Sequence, residues 1–287
     1  MENYPDRPSL PAVEIGKWNK LRVEKRVDFG VFLDAREFGN ILMPKQYVPQ
    51  NCTTDDVIDA FLYVDSEDRF VATNETPLAM ADELAVLKVV EVTPIGAFLD
   101  WGLPKDLLVP YREQKQKMIK GKSYIVYIYF DKSSARLVAS AKTYKFIGTN
   151  LEFKPGDEVD LIIGNGFNIG YNVVINKRYQ GVIFRNEVFQ YITEGQAIKG
   201  YIKQLREDGK IDVTLLKPTE NRTEDLAEQI LSRLKSEGGF LPLADKSPPK
   251  AIYTAFQASK KAFKRAIGIL YKQKLLTIEE KGIRLIE

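Results

Sequence analysis

Two stretches decide the fold: LAVLKVVEVTPIGAFLDWGLPKDLLVP, residues 84–110, and GKSYIVYIYFDKSSARLVAS, residues 121–140. They contain five short runs of aliphatic, β-branched and aromatic residues, separated by Gly, Pro and Asp. Such runs are typical of strands, because branched and aromatic side chains pack well on a pleated surface whereas Gly, Pro and Asp favour turns. Five strands in about sixty residues predict a small Greek-key barrel of the OB type.

The same order of runs recurs on both sides of this segment. An upstream copy extends from Val13 to Thr73, and a more diverged downstream copy extends from Phe153 to Leu215. In the downstream copy, Asp208-Gly209 between two apolar runs is a hairpin signal. Self-similarity of this kind indicates tandem copies of one structural unit.

The pattern changes its period after residue 218. Apolar residues recur at helical spacing over 226–234 and again over 262–270. Thr223 and Ser259 stand where helix N-caps are expected. A short extended piece (240–243) and a brief helix (250–256) lie between these two helices, and residues 275–287 predict a hairpin. This order is typical of a winged-helix domain.

We therefore predict a mainly β chain of three tandem five-stranded OB-type barrels followed by a C-terminal α/β winged-helix domain. The predicted domains are residues 1–76, 77–147, 148–218 and 219–287, the first including an extended leader.

Composition excludes several classes of function. The chain has 287 residues, no His and one Cys, Cys52. Without His there is no Ser-His-Asp or Cys-His nucleophile and no His-ligated metal, and one Cys cannot form an internal disulfide or a Cys-rich zinc site. We predict no catalytic residue, no metal and no cofactor. The chain lacks an apolar run of about 18 residues and a recognisable secretory signal, which predicts a cytoplasmic protein without a membrane partner.

Each barrel segment also resembles the ribosomal S-one type RNA-binding domain. The marks are a Gly at a strand-to-strand turn with an aromatic two residues later, a short strand ending near Pro, then Gly-Lys and a hairpin with an Asp turn. Three such segments and a winged helix containing SKKAFKRAIG, residues 259–268, resemble the bacterial virulence factor B-like (CvfB/YitL) family. That resemblance implies a non-catalytic RNA-binding protein linked to control of gene expression.

The resemblance also implies a ligand face in each barrel, made of two aromatics around the turn Gly with an acid and a base from the last hairpin. Carried over position by position, the residues are Phe29, Phe32, Asp65 and Arg69 in the first barrel; Ile95, Phe98, Asp131 and Arg136 in the second; and Ile169, Asn172, Arg206 and Lys210 in the third. In the third barrel both stacking positions lack an aromatic, and neighbouring Tyr171 and nearby Phe167 are the expected substitutes. The alternative is that these aromatics fill the barrel interior.

Charge is distributed unevenly along the chain, although the formal net charge is only +3. Residues 55–83 contain nine acids against one base, Arg69, so phosphates should be repelled there. Residues 250–274 contain seven bases and no acid. We expect the third barrel and the winged helix to form one basic surface that does most of the binding. The winged helix contributes Lys260, Lys261, Lys264 and Arg265, and the third barrel contributes Lys177, Arg178, Arg185, Lys199, Lys203 and Arg206.

Single-stranded RNA is the predicted partner. Two other classes remain open: a winged-helix DNA-binding regulator, and a scaffold that docks on the ribosome or RNA polymerase. A regulator usually dimerises to read paired half-sites, and no obvious apolar dimer helix is present, which favours a monomer. An enzyme is the class that the sequence favours least.

Overall fold

The computed structural model describes residues 11–147, 153–188, 190–216, 222–256 and 258–286. The chain divides into two compact units, Met1–Gly148 with Asn176–Tyr179, and Thr149–Ile175 with Gln180–Glu287. Each unit is described by itself below.

The first unit contains two closed five-stranded barrels. Both have the strand order first, second, third, fifth, fourth, in which the third and fifth strands are parallel. This is the predicted OB-type topology. Their strands are β1 (Trp18–Val27), β2 (Gly30–Asp34), β3 (Asn40–Pro44), β4 (Val57–Val64) and β5 (Phe70–Thr73), then β6 (Leu84–Thr93), β7 (Gly96–Asp100), β8 (Leu107–Pro110), β9 (Ser123–Asp131) and β10 (Arg136–Ser140).

The second unit contains the third barrel, which has the same order and the same parallel pair. Its strands are β11 (Glu158–Phe167), β12 (Gly170–Ile175), β13 (Tyr179–Phe184), β14 (Ala197–Leu205) and β15 (Ile211–Thr214). The prediction of three tandem barrels is confirmed.

The second strand of each barrel begins with a Gly because its backbone passes very close to the backbone of the third strand. A Cβ on Gly30 would lie 2.2 Å from the carbonyl oxygen of Met43, and one on Gly96 would lie 2.3 Å from that of Val109. Gly170 faces Ile183 in the same way, at 2.3 Å. Any side chain here would collide with backbone of the third strand, so the barrel closes tightly only with Gly.

The C-terminal domain has the predicted order of helix, strand, two helices and hairpin. Its elements are α1 (Arg222–Ser236), β16 (Phe240–Leu241), α2 (Pro249–Phe256), α3 (Lys260–Lys272), β17 (Leu276–Ile278) and β18 (Ile283–Leu285). The strands form a sheet in the order β16-β18-β17. Buried side chains from all three helices, including Ile230, Ile252 and Phe263, form one core with this sheet.

The two predicted helix caps have different outcomes. The Ser259 hydroxyl accepts a hydrogen bond from the Ala262 N–H at 3.1 Å, so this N-cap is confirmed. The first helix begins at Arg222, which places Thr223 inside the helix. The helix thus starts two residues earlier than a cap at Thr223 implies; the Thr223 side chain lies outside the described residues, so its capping hydrogen bond stays a prediction.

Candidate nucleic-acid interface

The residue before the turn glycine points outward in all three barrels. Its exposed fraction is 59% for Phe29, 60% for Ile95 and 61% for Ile169. Only the first barrel therefore presents an aromatic at this position. The Phe29 ring meets the half-buried Phe32 ring edge to face, with centroids 6.3 Å apart, and Phe29 does not fill the barrel interior.

The predicted cation of the first barrel is held by acids. Arg69 donates from Nε and Nη2 to Asp65 Oδ2 at 2.9 and 2.7 Å, and its Nη1 lies 2.7 Å from Glu67 Oε2. Burial raises the pKa of Asp65, but the Arg69 backbone and side-chain hydrogen bonds outweigh it and leave the pKa lowered. The first barrel thus offers one exposed aromatic, Phe29, and a cation that is already neutralised.

The predicted face of the second barrel lies against the acidic turn between β4 and β5. The Arg136 guanidinium forms an ion pair with Asp68 of the first barrel. Lys105 Nζ lies 3.6 Å from Asp68 Oδ1 and also donates to the carbonyl oxygen of Asp65. Together with half-buried Phe98, these side chains surround a cavity of about 190 Å³.

Asp131, the acid expected at this face, instead stabilises its own turn. Its carboxylate accepts hydrogen bonds from the Ser133 N–H and hydroxyl at 3.1 and 2.7 Å, and from the Ser134 hydroxyl at 2.8 Å. These hydrogen bonds lower the pKa of Asp131.

The third barrel places cations on two aromatic rings. The Arg185 guanidinium carbon lies 4.9 Å from the Tyr171 ring centroid, and Nη1 donates to the Tyr171 hydroxyl at 3.1 Å. The Phe184 ring has Arg206 at 5.5 Å and Lys203 at 6.0 Å. Both arrangements are within the range of a cation–π interaction.

Phe184 was not among the predicted site residues, and Arg185 was expected only as one of the bases of the third barrel, not as a partner of Tyr171. Phe184 ends the third strand of its barrel, as Pro44 and Pro110 end β3 and β8, and Arg185 follows it directly. A comparison of the three repeats at this strand end would have shown that only the third repeat has an aromatic residue in place of Pro.

The other predicted residues of the third barrel are engaged with neighbours. Lys203 forms an ion pair with Glu187, and Arg206 Nε donates to buried Asp212 at 3.0 Å. The Lys210 ammonium lies 2.7 Å from Asp208. Asn172 donates to the Asn165 side chain at 3.3 Å.

Helix α3 presents its basic residues to solvent. Phe263, Ala266, Ile267 and Leu270 are buried on one side, which leaves Lys261, Lys264 and Arg265 exposed on the other; Lys260 is half-buried. Lys264 Nζ lies 3.7 Å from Asp245 Oδ2. Within the described ranges, Lys260, Lys261 and Arg265 form no ion pair. We call Lys260, Lys261, Lys264 and Arg265 together the α3 basic face.

Within the described part of the chain, no group of three or more metal-ligating side chains is close enough to hold a metal ion. The helices in that part include none that is long and apolar enough to cross a membrane.

Comparison with known proteins agrees with this architecture. Residues 15–75 and 83–142 match the model of the S1 domain, and residues 228–285 match that of the CvfB-like winged helix domain. The fold and these matches define the class: tandem S1-type barrels with a winged helix, which are nucleic-acid-binding domains and not enzyme families.

The chain is 30% identical over 284 residues to protein YitL of Bacillus subtilis, covering 90% of this chain and 89% of that protein. It is 29% identical over 233 residues to conserved virulence factor B of Staphylococcus epidermidis, covering 78% of each. A crystal structure of a multidomain protein with nucleic acid binding domains from Streptococcus pneumoniae is 24% identical, covers 95% of this chain and 98% of that chain, and has a TM-score of 0.43. The chain belongs to the virulence factor B-like (CvfB/YitL) family, as its sequence motifs predict.

Proposed function

We propose that this protein binds single-stranded RNA without catalysing a reaction on it, in post-transcriptional or other expression control. The observation that carries the proposal is the α3 basic face, where three of four cations have no ion pair among the described residues. The third barrel, with its stacked cations and aromatics, is the second part of the proposed surface. The protein would act as a monomer in the cytoplasm.

Electrostatics supplies most of the affinity in this proposal. A cation that meets a phosphate releases a condensed counterion, so the binding constant falls with salt, with a slope of about −0.7 per phosphate contact for single strands. Four cations on one helix face would contribute about −2.8 to that slope. The ligand-side cations predicted for the first two barrels, Arg69 and Arg136, are already paired with carboxylates and should contribute less.

The third barrel would add contacts to bases. Tyr171 and Phe184 are both half-buried, so part of each ring faces solvent. Base stacking on an aromatic contributes about 1–3 kcal/mol and tolerates different sequences. Arg185, Lys203 and Arg206 lie beside these rings. Arg185, which has no ion pair within the described residues, would approach an adjoining phosphate, whereas Lys203 and Arg206 are paired with Glu187 and Asp212 and would contribute less.

Duplex DNA is the second candidate ligand, because an exposed basic helix of a helix-turn-helix is the element that enters a major groove. The S1-type barrels favour RNA over DNA as the ligand of the whole chain. A scaffold that docks on the ribosome or RNA polymerase would instead bind nucleic acid weakly.

Fluorescence anisotropy with single-stranded RNA, single-stranded DNA and duplex DNA at two salt concentrations tests the proposal. The informative variant is Lys260→Glu, Lys261→Glu, Lys264→Glu. Its matched control, Lys117→Glu, Lys120→Glu, Lys122→Glu, makes the same change in net charge at exposed positions of the second barrel.

We expect tight, salt-sensitive RNA binding that the α3 variant loses and the control largely retains. Preference for duplex DNA would instead support a DNA-binding regulator as the function. Equal loss in both variants would show that no particular surface is used, and absence of binding to all three ligands would overturn the proposal.

A further inference from the structure

Another cavity lies within the second unit, between the third barrel and the start of α3. Its volume is about 320 Å³, which falls in the range of roughly 300–1,000 Å³ that is usual for ligand-binding pockets. Its walls come from the third barrel and from Ser259, the N-cap of α3. The residues that the S-one resemblance assigns to the ligand face of this barrel do not line it; these are Ile169, Tyr171, Asn172, Arg206 and Lys210.

The wall of this cavity contains a buried acceptor without a partner. Glu187, in the short turn after β13, lines the cavity with a side chain that is only 20% exposed. Its Oε1 accepts a hydrogen bond from the Lys203 ammonium, whereas its Oε2 is buried and has no hydrogen-bond partner among the described residues. An unpaired buried carboxylate oxygen is costly, and most buried polar atoms do have a partner. A ligand that donates one hydrogen bond here would remove that cost.

The other polar side chains of the described wall are donors. The Lys203 ammonium has three N–H bonds, of which Glu187 accepts one. The hydroxyl oxygens of Ser259 and Thr214 already accept hydrogen bonds from backbone N–H groups, at 3.1 and 3.2 Å. Each hydroxyl therefore keeps its own O–H for donation to a ligand. A matching ligand has one donor and at least two acceptors.

The described wall carries no net charge, because Glu187 and Lys203 are its charged residues and they neutralise each other. The apolar side chains of Pro155, Ile202 and Leu216 form much of the remainder. A neutral ligand with apolar faces suits this cavity better than a phosphate does.

We propose that this cavity binds one uracil base. In a ribonucleotide, uracil has a single N–H, at N3, which lies between the carbonyl oxygens O4 and O2. The N3–H would donate to Glu187 Oε2, and the two carbonyl oxygens would accept from Lys203 and Ser259. Cytosine, adenine and guanine each carry an amino group with two N–H bonds, and the described wall has no second unpaired side-chain acceptor for them.

This inference rests on the RNA-binding function proposed above and deepens it, because it names a base that the third barrel and α3 would accept together. The same hydrogen-bonding edge is present in a free nucleoside. A strand and a free nucleoside are therefore tested separately, so that failure of this site can be distinguished from failure of the RNA-binding function.

Fluorescence anisotropy with the full chain compares three labelled RNAs of equal length: oligouridine, oligocytidine, and oligouridine in which every base is methylated at N3. The methyl group replaces the proton that Glu187 would accept. We expect oligouridine to bind at least about tenfold more tightly than the methylated strand, because the buried acceptor then stays unpaired. Oligocytidine should also bind more weakly than oligouridine. Both ratios should be the same at two salt concentrations, since the strands carry the same phosphates.

The variant Glu187→Met removes the acceptor and keeps a side chain of similar length. It should lose the preference for oligouridine, while its affinity for all three strands should not fall, because Lys203 is freed from its ion pair. The matched control, Asp208→Asn, also removes one negative charge and frees one lysine, Lys210, on the same barrel but away from the cavity. The control should retain the preference. The methylated strand tests the unaltered protein, so the conclusion does not depend on how the variant folds.

Saturation-transfer NMR with uridine, 3-methyluridine and cytidine tests the free nucleosides. A signal for uridine but not for 3-methyluridine would show that the cavity also holds an unattached base. Discrimination confined to the strands would show that it holds the base only within RNA.

Equal affinity for oligouridine and its methylated form would overturn this inference while leaving the RNA-binding function in place. A preference that Glu187→Met retains would also contradict it, since the uracil would then be recognised elsewhere. If no RNA binds but uridine is still distinguished from 3-methyluridine, the RNA-binding function fails and the uracil site stands.

Discussion

The ligand-side cations predicted from the last hairpin of each barrel differ from the cations of α3 in the side chains they contact. On the barrels, Arg69, Arg136, Lys203, Arg206 and Lys210 each form an ion pair with an Asp or Glu. On α3, Lys260, Lys261 and Arg265 face no acid among the described residues. A basic residue at a ligand-side position is therefore not the same as a charge available to phosphate. We therefore expect the ion pairs of the barrels to stabilise the fold and the α3 basic face to bind RNA.

Breaking a barrel pair should reduce stability, whereas removing an α3 cation should not. Arg206→Met deprives Asp212, which is 3% exposed, of its ion pair. We expect the free energy of unfolding to fall by about 2 kcal/mol; this is less than the roughly 3–5 kcal/mol typical of a fully buried pair, because Arg206 is partly exposed and Gln204 still donates to Asp212 at 3.1 Å. Faster hydrogen exchange in β14 and β15 would report the loss.

Lys261→Met is the matched change on α3. Its side chain is exposed, so stability should stay within about 0.5 kcal/mol of the original while RNA affinity falls. Equal destabilisation by the two variants would contradict the distinction between structural and binding cations.

The cations on the face of the second barrel could also be freed from their ion pairs, as most cations of α3 already are. Asp68→Asn removes the carboxylate that neutralises Arg136 and Lys105. We expect RNA affinity to rise several-fold at low salt, and the salt slope to steepen by about 0.7–1.4, because one or two cations become available to phosphate. Anisotropy titrations over a range of salt measure both. Asp59→Asn, which frees only exposed Lys20 on the first barrel, is the control.

The sequence predicted the backbone architecture well because that architecture depends on local rules. Gly30 and Gly96 mark close approaches of two strands, and Ser259 caps α3 through a hydrogen bond three residues away. Helical and strand periodicities are likewise visible within about ten residues. Such features can be read from a single chain without knowing its fold.

The pairing of charges could not be predicted in the same way. Arg136 and Asp68 are 68 residues apart, in different barrels, and meet only because the β4–β5 turn lies against the second barrel. Charge counting identified the acidic segment of the first barrel but not its contact with Lys105 and Arg136. The role of Phe184 also depends on packing, since Arg206 reaches its ring from a different strand.

A smaller effect should follow from a substitution on α3 itself. A Cβ on Gly268 would meet nothing within 4 Å, although this Gly stands inside the helix. Gly268→Ala should therefore stabilise the winged helix by about 0.5–1 kcal/mol through helix propensity. All α-helices of the described residues lie in this domain, so thermal unfolding followed by helical circular dichroism measures the change.

Gly282→Ala is the opposite control. Its added Cβ would lie 2.3 Å from the carbonyl oxygen of Leu241, so this variant should destabilise the same domain. If Gly268→Ala raises stability but weakens RNA binding, the bound RNA must lie close to the α3 backbone at Gly268. If RNA affinity is unchanged, the exposed cations alone make the contact.

The smallest expected effect concerns an acid that lacks the pairing found elsewhere on the barrels. The pKa of Asp106 is raised, first by burial and then by Asp100 and Glu91. The folded state therefore binds this proton more tightly than the unfolded state, so ionisation of Asp106 lowers stability as pH rises through its folded pKa. Asp106→Asn should be more stable than the original protein at neutral pH, and the difference should vanish below the ordinary Asp pKa of about 3.9. Melting temperatures of both proteins across this pH range test the sign. If Asp106→Asn is instead less stable than the original protein at neutral pH, and the two become equal in acid, the carboxylate is stabilised by the fold, as the carboxylates of the ion-paired acids are.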